Sequence, residues 1–388
     1  MKVLDICDFF SERGGGVRSY LGELASEGAK RGHEITVVAP GPRDADDALP
    51  GGGRLVRLAG PPMPYDPSYH LLWRIDRIVS LVREVRPDVL QASSPYLPAL
   101  LATRLEAPLR VFVYHSDQIA TYVEPILQKV GSERLRRSVL HAVNAWPRAL
   151  ARRFDLTVAP SETIAKILVE AGCERVRLVK FGSRADIFQP RPPSAERRRQ
   201  MMGDLAAKPN AALALVACRL AVEKRVNQII DAVALVNEER PLALVVLGDG
   251  PERARLEKQA RKLPQVVFPG FLPRSEFAEL VASADVFVHA GAAETFGFVL
   301  GEALLAGTRI VVPDAGAAYD FVGPGLGEAY PAYGGPRAIA DALLRSLDRP
   351  AGAAPDVAGR LRTSTEHFDE LFALYEEELR RRSRAVTQ

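Results

Sequence analysis

The sequence predicts an α/β protein built from two consecutive Rossmann-like units, and three observations predict it. Short apolar runs alternate with longer amphipathic ones in both halves of the chain. Such strand–helix–strand alternation gives parallel strands joined by crossover helices. A proline- and arginine-rich stretch, residues 186–206, separates the two sets. It reads as a linker, because Gln189-Pro190-Arg191-Pro192-Pro193 cannot pair in a sheet and stiffens the chain. Finally, 388 residues are long for one compact core and comfortable for two.

The elements follow in order. In the first half, residues 2–7, 34–39, 89–92, 111–114 and 156–159 read as short buried strands, and 17–31 and 69–85 carry apolar residues at helical spacing. In the second, strands are expected at 212–217, 242–247, 266–268, 286–289 and 309–312. Helices are expected there at 225–238, 252–262, 275–282, 298–306 and 336–349. An amphipathic segment at 364–381 ends the fold. The expected domains are 1–187 and 188–363, with residues 364–388 packing back on the first. No fixed-period repeat points to a solenoid.

Composition narrows the function classes. With 47% hydrophobic and 26% charged residues, the chain is globular and soluble rather than disordered or fibrous. A net charge of only +3 gives no whole-molecule argument for nucleic acid. Cys7, Cys173 and Cys218 have no short spacing, so neither a zinc nor a disulfide framework is available. Cys7 and Cys218 lie in apolar runs, as reduced cysteines do. Asp5 and Asp8 interrupt the apolar N-terminus, which therefore reads as a first strand and not a signal peptide. No apolar stretch approaches the roughly 18 residues of a spanning helix. The expectation is a cytoplasmic protein that meets a membrane, where it does so, from the inner side.

Four groups of residues could carry chemistry. Gly14-Gly15-Gly16 follows the first strand and opens the first helix, where backbone N–H groups can approach an anion; a flexible loop is the plainer reading. Arg219 and Lys224 follow strand 212–217 and could both reach one diphosphate, although a solvated helix start would look the same. Glu294 and Glu302 frame Glu294-Thr295-Phe296-Gly297-Phe298-Val299-Leu300-Gly301-Glu302, which sets two acceptor-only carboxylates around a helix start. The plain alternative is an acid favourable to the helix dipole plus a surface Glu302. His115, after strand 111–114, stands at the sheet end where ligands bind.

Taken together, these residues resemble the fourth family of retaining GT-B glycosyltransferases, which use nucleotide sugars, over about residues 1–350. The carriers are the glycine loop and its helix, Ala159-Pro160-Ser161-Glu162, Asp186-Ile187-Phe188-Gln189-Pro190, Arg219-Leu220-Ala221-Val222-Glu223-Lys224, Leu247-Gly248-Asp249-Gly250-Pro251, and two glutamates with seven residues between them. The resemblance implies two domains facing across a cleft, the first binding the acceptor and the second the nucleotide-sugar donor. It implies that Gly15 and Gly16 contact the donor phosphates and that Arg219 and Lys224 bind the diphosphate. Glu294 would grip the transferred sugar beside the backbone of Phe296, Gly297 and Phe298. Val299 would meet a phosphate through its amide, Glu302 would bind the ribose, and His115 would stand near the sugar. The base is expected near Gly250 and the backbone of Gly270-Phe271-Leu272. Two departures from the family pattern are Gly182-Ser183-Arg184-Ala185-Asp186 before the Phe188 element and Gly316-Ala317-Ala318 in a cleft loop.

The implied reaction is front-face substitution, in which the leaving diphosphate oxygen takes the acceptor's proton and the protein positions and stabilises charge. No Asp-x-Asp ligand set stands in a suitable loop, so no metal or other cofactor is expected. The donor reads as GDP-mannose or a UDP-hexose, with a lean to the former through resemblance to lipid-directed mannosyltransferases, and the acceptor as a lipid or glycan hydroxyl. A sugar-nucleotide epimerase of the same architecture and a non-catalytic nucleotide-sugar-binding protein are the alternatives. A dehydrogenase is disfavoured because the G-x-G-x-x-G spacing is absent. Arg134, Arg136, Arg137, Arg148, Arg152 and Arg153 lie among Leu135, Val139, Leu140, Val143, Trp146 and Leu150. That pattern suits an anionic membrane surface, or equally a packed helix with a solvated basic face.

Overall fold

The computed structural model describes residues 1–11, 15–49, 51–64, 66–115, 149–349, 357 and 359–387. The chain forms two compact units, Met1–Phe181 with Ser364–Gln388, and Gly182–Thr363. The first crossing falls at 181/182 and not at 187/188. The Ser183 amide donates to the Arg362 carbonyl (2.9 Å) and holds that segment in the second unit.

In the first unit the strands are β1 Lys2–Ile6, β2 Glu34–Gly41, β3 Ala45–Ala48, β4 Arg54–Ala59, β5 Val89–Ala92, β6 Leu109–Val113, β7 Leu156–Ala159 and β8 Val176–Leu178. They form one sheet in the order β3-β4-β2-β1-β5-β6-β7-β8, parallel except for the β3–β4 edge pair. Helices α1 Gly16–Lys30, α2 Ile75–Val85, α3 Leu97–Ala102 and α4 Glu162–Glu170 connect them. Alternation along the strands sorts the two faces. Leu4, Ile6, Leu90 and Phe112 pack with Ile78, Leu81 and Val82 of α2 on one face. The Ser161 side chain accepts from the Ile164 amide (3.3 Å) and so starts α4. The helix expected at 69–85 begins only at Ile75, because residues 69–71 are extended. The Leu71 amide donates to Pro61 O (2.9 Å), and His70 bridges Pro62.

The second unit has β9 Ala212–Ala217, β10 Leu242–Leu247, β11 Val266–Gly270, β12 Val286–Val288, β13 Arg309–Pro313 and β14 Gly327–Tyr330. All its pairings are parallel, in the order β11-β10-β9-β12-β13-β14. Renumbered within the unit, this is the doubly wound order 3-2-1-4-5-6. Its helices are α5 Ala195–Met202, α6 Val226–Val236, α7 Arg253–Ala260, α8 Arg274–Ser283, α9 Phe298–Leu305 and α10 Gly335–Leu347. Val216, Leu244, Val246 and Val288 of the sheet bury against Ile229, Ile230, Val233, Ile339 and Leu343 of α6 and α10.

The stretch 186–206, read as a linker, is largely part of this unit. Ser194 caps α5 by accepting from the Arg197 amide (3.2 Å), and Arg197 pairs with Glu279 of α8 (2.9 Å). Phe188 is fully buried, edge-on to Phe277 at 5.6 Å. Prolines and charges obscured a segment that buries Phe188, Met201 and Met202 and is tied down by ion pairs.

The C-terminal helix α11, Ser364–Thr387, returns to the first unit and covers the sheet face opposite α2. Its Phe368 and Tyr375 are fully buried, and Phe368 lies 5.3 Å from Tyr20 of α1. Burying a Phe side chain contributes about 1.5–3 kcal/mol. Polar contacts fix the register along its length: Ser364 donates to Glu23 (2.6 Å), Asp369 pairs with Arg31 (2.6 Å), and Arg382 reaches Asp155 (3.0 Å). Beneath it lies a buried polar layer. The Tyr375 hydroxyl donates to Gln91 Oε1 (2.7 Å), while Gln91 Nε2 and Ser93 Oγ both donate to Asp5 Oδ2 (2.6 Å each). Burial pushes the Asp5 carboxyl up to about 7 against the pull of those two hydrogen bonds.

Candidate active site

In an open α/β sheet, ligands bind beyond the carboxyl ends of the strands where the order reverses. In the second unit that point lies between neighbouring β9 and β12. The chain leaves β9 through Cys218 to Arg225 and leaves β12 through His289 to Gly297. These two loops carry Arg219, Lys224, Glu294, Phe296 and Gly297 of the residues the sequence singled out.

After β9, a short 3₁₀ turn at Val222–Lys224 ends at Arg225, which adopts a left-handed conformation (φ 49°) before α6 begins. Arg225 is anchored by donating to Ala332 O (2.8 Å) and by lying 5.0 Å over the Tyr333 ring. The turn carries Lys224 across to the β12 loop, where its Nζ lies 2.8 Å from Glu294 Oε2. Arg219, from the same loop, pairs with Glu223 at 2.8 Å.

Glu294 has a second neighbour that sequence reasoning missed. His289, the first residue after β12, is buried; its Nε2 lies 3.1 Å from Gly291 O and 3.4 Å from Glu294 Oε2. Both atoms are acceptors, so Nε2 carries the ring proton. The signal that picked out His115, a histidine at a strand end, would have found His289 too. Burial lowers the His289 pKa to about 4 despite the Glu294 charge, so the ring is neutral at pH 7. Burial also opposes the Glu294 charge, but Lys224 and then His289 overcome it and hold the carboxyl at about 2. The same burial works against Lys224, and Glu294 more than offsets it, raising the ammonium above its usual value. At neutral pH the site holds an ammonium, a carboxylate and a neutral imidazole. Cys218 beside them is pushed up to about 12 by burial and stays a thiol.

Other residues singled out by the sequence lie in the loops after β10 and β11 and at the start of α9. The β10 loop leans on the β9 loop: Leu220 N donates to Asp249 O (2.9 Å), and Glu252 N donates to Leu220 O (2.9 Å). Only glycine fits at 248, where φ is +118° and an added Cβ would sit 2.0 Å from Cys218 O. Gly250 follows in this loop. Gly248 N donates to Gly270 O (3.1 Å), so the strip running into Phe271 and Leu272 lies alongside, with Phe271 largely exposed. Gly297, at φ +90°, turns the chain into α9. Phe296 is buried edge-on to Phe298 at 5.0 Å, and Val299 sits half-buried in the helix's first turn, which carries no acid. The departure at Gly316-Ala317-Ala318 supports this loop, since Ala317 N donates to Glu294 O (2.8 Å).

Glu302 is not a surface acid. It is almost wholly buried and ion-paired with Arg274 of α8, whose guanidinium lies 5.0 Å over the Phe188 ring. A buried carboxylate requires such a partner. Arg274, far from Glu302 in sequence, carried no local signal.

Gly15, Gly16 and His115 belong to the first unit. Gly15 caps α1 and Gly16 is its first residue. One turn on, Tyr20 meets the His115 ring edge-on at 4.6 Å, and Phe181 lies 5.2 Å from that ring. Burial, with a smaller push from His367, lowers the His115 pKa to about 3, so this imidazole too is neutral at pH 7. Gly14, Ser116, Asp117 and residues 131–148 of the basic–apolar segment lie outside the described residues; Arg152 and Arg153, also in that segment, are exposed. Among the described residues no three His, Cys, Asp or Glu side chains gather as a metal would require, and no helix is long and apolar enough to cross a membrane.

Known proteins match this architecture along its length. The profile of Glycosyltransferase Family 4 matches residues 14–182, and that of Glycosyl transferases group 1 matches residues 197–358. A GDP-mannose-dependent alpha-mannosyltransferase of Mycobacterium tuberculosis (strain CDC 1551 / Oshkosh) is 31% identical over 331 residues, covering 84% of this chain and 82% of the relative. The GDP-mannose-dependent alpha-(1-6)-phosphatidylinositol dimannoside mannosyltransferase of M. tuberculosis (strain ATCC 25177 / H37Ra) is 29% identical over 356 residues, 90% and 88% of the two chains. Among solved structures, sucrose-phosphate synthase from Thermosynechococcus elongatus superposes with a TM-score of 0.74 at 19% identity over 100% of both chains, and so shares the fold. With its two parallel-sheet α/β units, this chain belongs to the GT-B glycosyltransferases that join a family 4 amino-terminal half to a group 1 carboxyl-terminal half.

Proposed function

We propose that the protein is a retaining, metal-independent mannosyltransferase that takes its sugar from GDP-mannose and passes it to a hydroxyl of a lipid or glycan acceptor. The observation that carries the reading is the Lys224–Glu294 pair, 2.8 Å apart at the switch point of the second unit. It sets a cation for the leaving diphosphate beside a carboxylate for the sugar hydroxyls. The two mycobacterial relatives, both named for GDP-mannose, support this donor over a UDP-hexose.

In this reading, Arg219 and Lys224 balance the charge that develops as the bond from the anomeric carbon to the diphosphate oxygen breaks. The acceptor oxygen bonds to the same face of that carbon, and its proton passes to the departing oxygen. Two fixed cations perform the charge-balancing task that a divalent ion performs elsewhere. The first turn of α9 contributes N–H groups to the phosphates. Glu302, held by Arg274, takes the ribose, and the backbone near Gly250, Phe271 and Leu272 reads the base. His115, as a neutral ring, contributes one hydrogen bond and no charge. The acceptor falls to the first unit. There Phe9 stands 6.4 Å from Tyr69 and 6.1 Å from Tyr96, edge-on to both, next to Asp8 on Ser94. Aromatic rings and a carboxyl suit a hydroxylated ring.

The test is competition calorimetry with GDP and UDP, followed by transfer assays with and without a chelator and NMR of the product's anomeric proton. GDP should bind at least about tenfold tighter, roughly 1.4 kcal/mol. The reverse preference would retire GDP-mannose as donor and leave glycosyl transfer standing. The exposed Arg152 and Arg153 extend the reading to peripheral contact with anionic lipid on the inner face of the membrane. Salt-sensitive binding to anionic but not neutral vesicles supports it; equal binding to both, or none to either, removes it.

A further inference from the structure

His289 lies outside every role assigned so far, yet its surroundings are specific. Its backbone is locked from two sides: its amide donates to Val311 O (2.8 Å), and its carbonyl accepts from the Tyr330 hydroxyl (2.8 Å). The backbone that carries the ring is therefore anchored in the sheet. Its Nε2 meets Gly291 O at 3.1 Å, and Glu294 Oε2 lies 3.4 Å away. Gly291 is wedged in place, because a Cβ there would come 3.1 Å from His289 Nε2 and 3.4 Å from Lys224 Cδ. The run His289-Ala290-Gly291-Ala292-Ala293-Glu294 is thus a short loop tied back at Gly291.

We propose that His289 is a positioning residue for sugar recognition: its Nε2–H clamps the loop through Gly291 O and keeps Glu294 Oε2 turned toward Lys224, so that Oε1 faces the transferred sugar. The inference rests on the donor reading above. It separates two tasks within one cluster. Arg219 and Lys224 bind the diphosphate whatever sugar it carries, whereas the rotation of Glu294 matters only when a sugar is present. Without the ring N–H, the loop loses its tie at Gly291, and Glu294 Oε2 keeps Lys224 but loses the second N–H beside it. Misplacement by about 1 Å at such a point can cost on the order of 10²-fold in rate.

The experiment compares His289→Leu, which removes the N–H at similar bulk, with His289→Gln, whose amide N–H reaches a similar position. Affinities for GDP and for GDP-mannose are measured by calorimetry, and kcat and KM by transfer, after melting curves confirm folded protein. For His289→Leu, GDP affinity should stay within about twofold, while GDP-mannose affinity falls about tenfold and kcat falls at least as far. His289→Gln should recover most of both losses. Equal weakening of GDP and GDP-mannose, unchanged transfer in the leucine variant, or no recovery by glutamine would each overturn the inference. A wild-type protein that binds GDP but gains nothing from the attached sugar, whichever nucleotide sugar is offered, overturns the donor reading itself.

Discussion

Lys224 Nζ and Glu294 Oε2 lie 2.8 Å apart, yet they come from loops after different strands, 70 positions apart in the chain. Their pairing ties stability to chemistry. Removing one partner leaves a partly buried charge uncompensated, a change that costs several kcal/mol when burial is complete and less here. Lys224→Met should therefore lower the melting temperature more than Lys224→Met combined with Glu294→Gln, while both abolish most transfer. Arg219→Ala should cost on the order of 10²-fold in turnover and, because it leaves the part-buried Glu223 unpaired, should lower the melting temperature as well. Undiminished transfer in a folded Arg219 and Lys224 double variant would remove both from the mechanism.

Glu294 also sets an acid limit. Its pKa is depressed to about 2, so its contribution is fully present above the ordinary carboxyl value of about 4.3 and disappears as pH falls through about 2. Urea titrations of wild type and Glu294→Gln should diverge above that window and converge below it. Parallel curves throughout would show that the pair contributes nothing to stability.

Asp5 works in the opposite direction. Its pKa is raised to about 7, so the folded state holds a proton that the unfolded chain releases at about 3.9. Stability is then lost as pH rises from about 4 to about 7 and is flat beyond. Asp5→Asn, uncharged and of similar shape, should remove that slope and raise stability at pH 8 by up to a few kcal/mol. Denaturant midpoints at pH 5 and pH 8 test this, and an unchanged difference between them would exclude Asp5 as its source.

For His115, a pKa of about 3 means that no limb of the pH–rate profile at about 6.5, where a free histidine titrates, belongs to it. Transfer by His115→Gln should keep the wild-type pH dependence at reduced rate. Loss of such a limb in that variant would show that the ring titrates where a free histidine does.

Two glycines give a paired test of the backbone. Gly248→Ala forces a Cβ to within 2.0 Å of Cys218 O at φ +118° and should destabilise by at least about 2 kcal/mol while weakening nucleotide binding. Gly22→Ala, inside α1 with open space around its added Cβ, should stabilise by about 0.5–1 kcal/mol. Melting curves of the two variants shifting in the same direction would contradict this account.

Strands β9 and β10 were legible to the residue, because Ala212–Ala217 and Leu242–Leu247 are unbroken apolar runs buried on both faces. β3, with the sequence Ala45-Asp46-Asp47-Ala48, was not: it is a largely exposed antiparallel edge held to β4 partly by Arg54–Asp46. In the site, local signals bring Arg219, Lys224 and Glu294 into view, and the fold sets Lys224 beside Glu294. What they left out was partnership. The sequence leaves Glu302 open between a ligand-binding and a surface acid because Arg274 lies on another helix, and His289 reads as the end of a strand because its acceptors come only from the folded loop.

The return of α11 to the first unit has a consequence for synthesis. A ribosome must deliver residue 363, and with it the whole of the second unit, before the helix that covers Gln91 and Tyr20 exists. The usual amino-to-carboxyl order of domain completion is thereby inverted. The half that begins first is finished last, and until then its polar layer around Asp5 stands open to water.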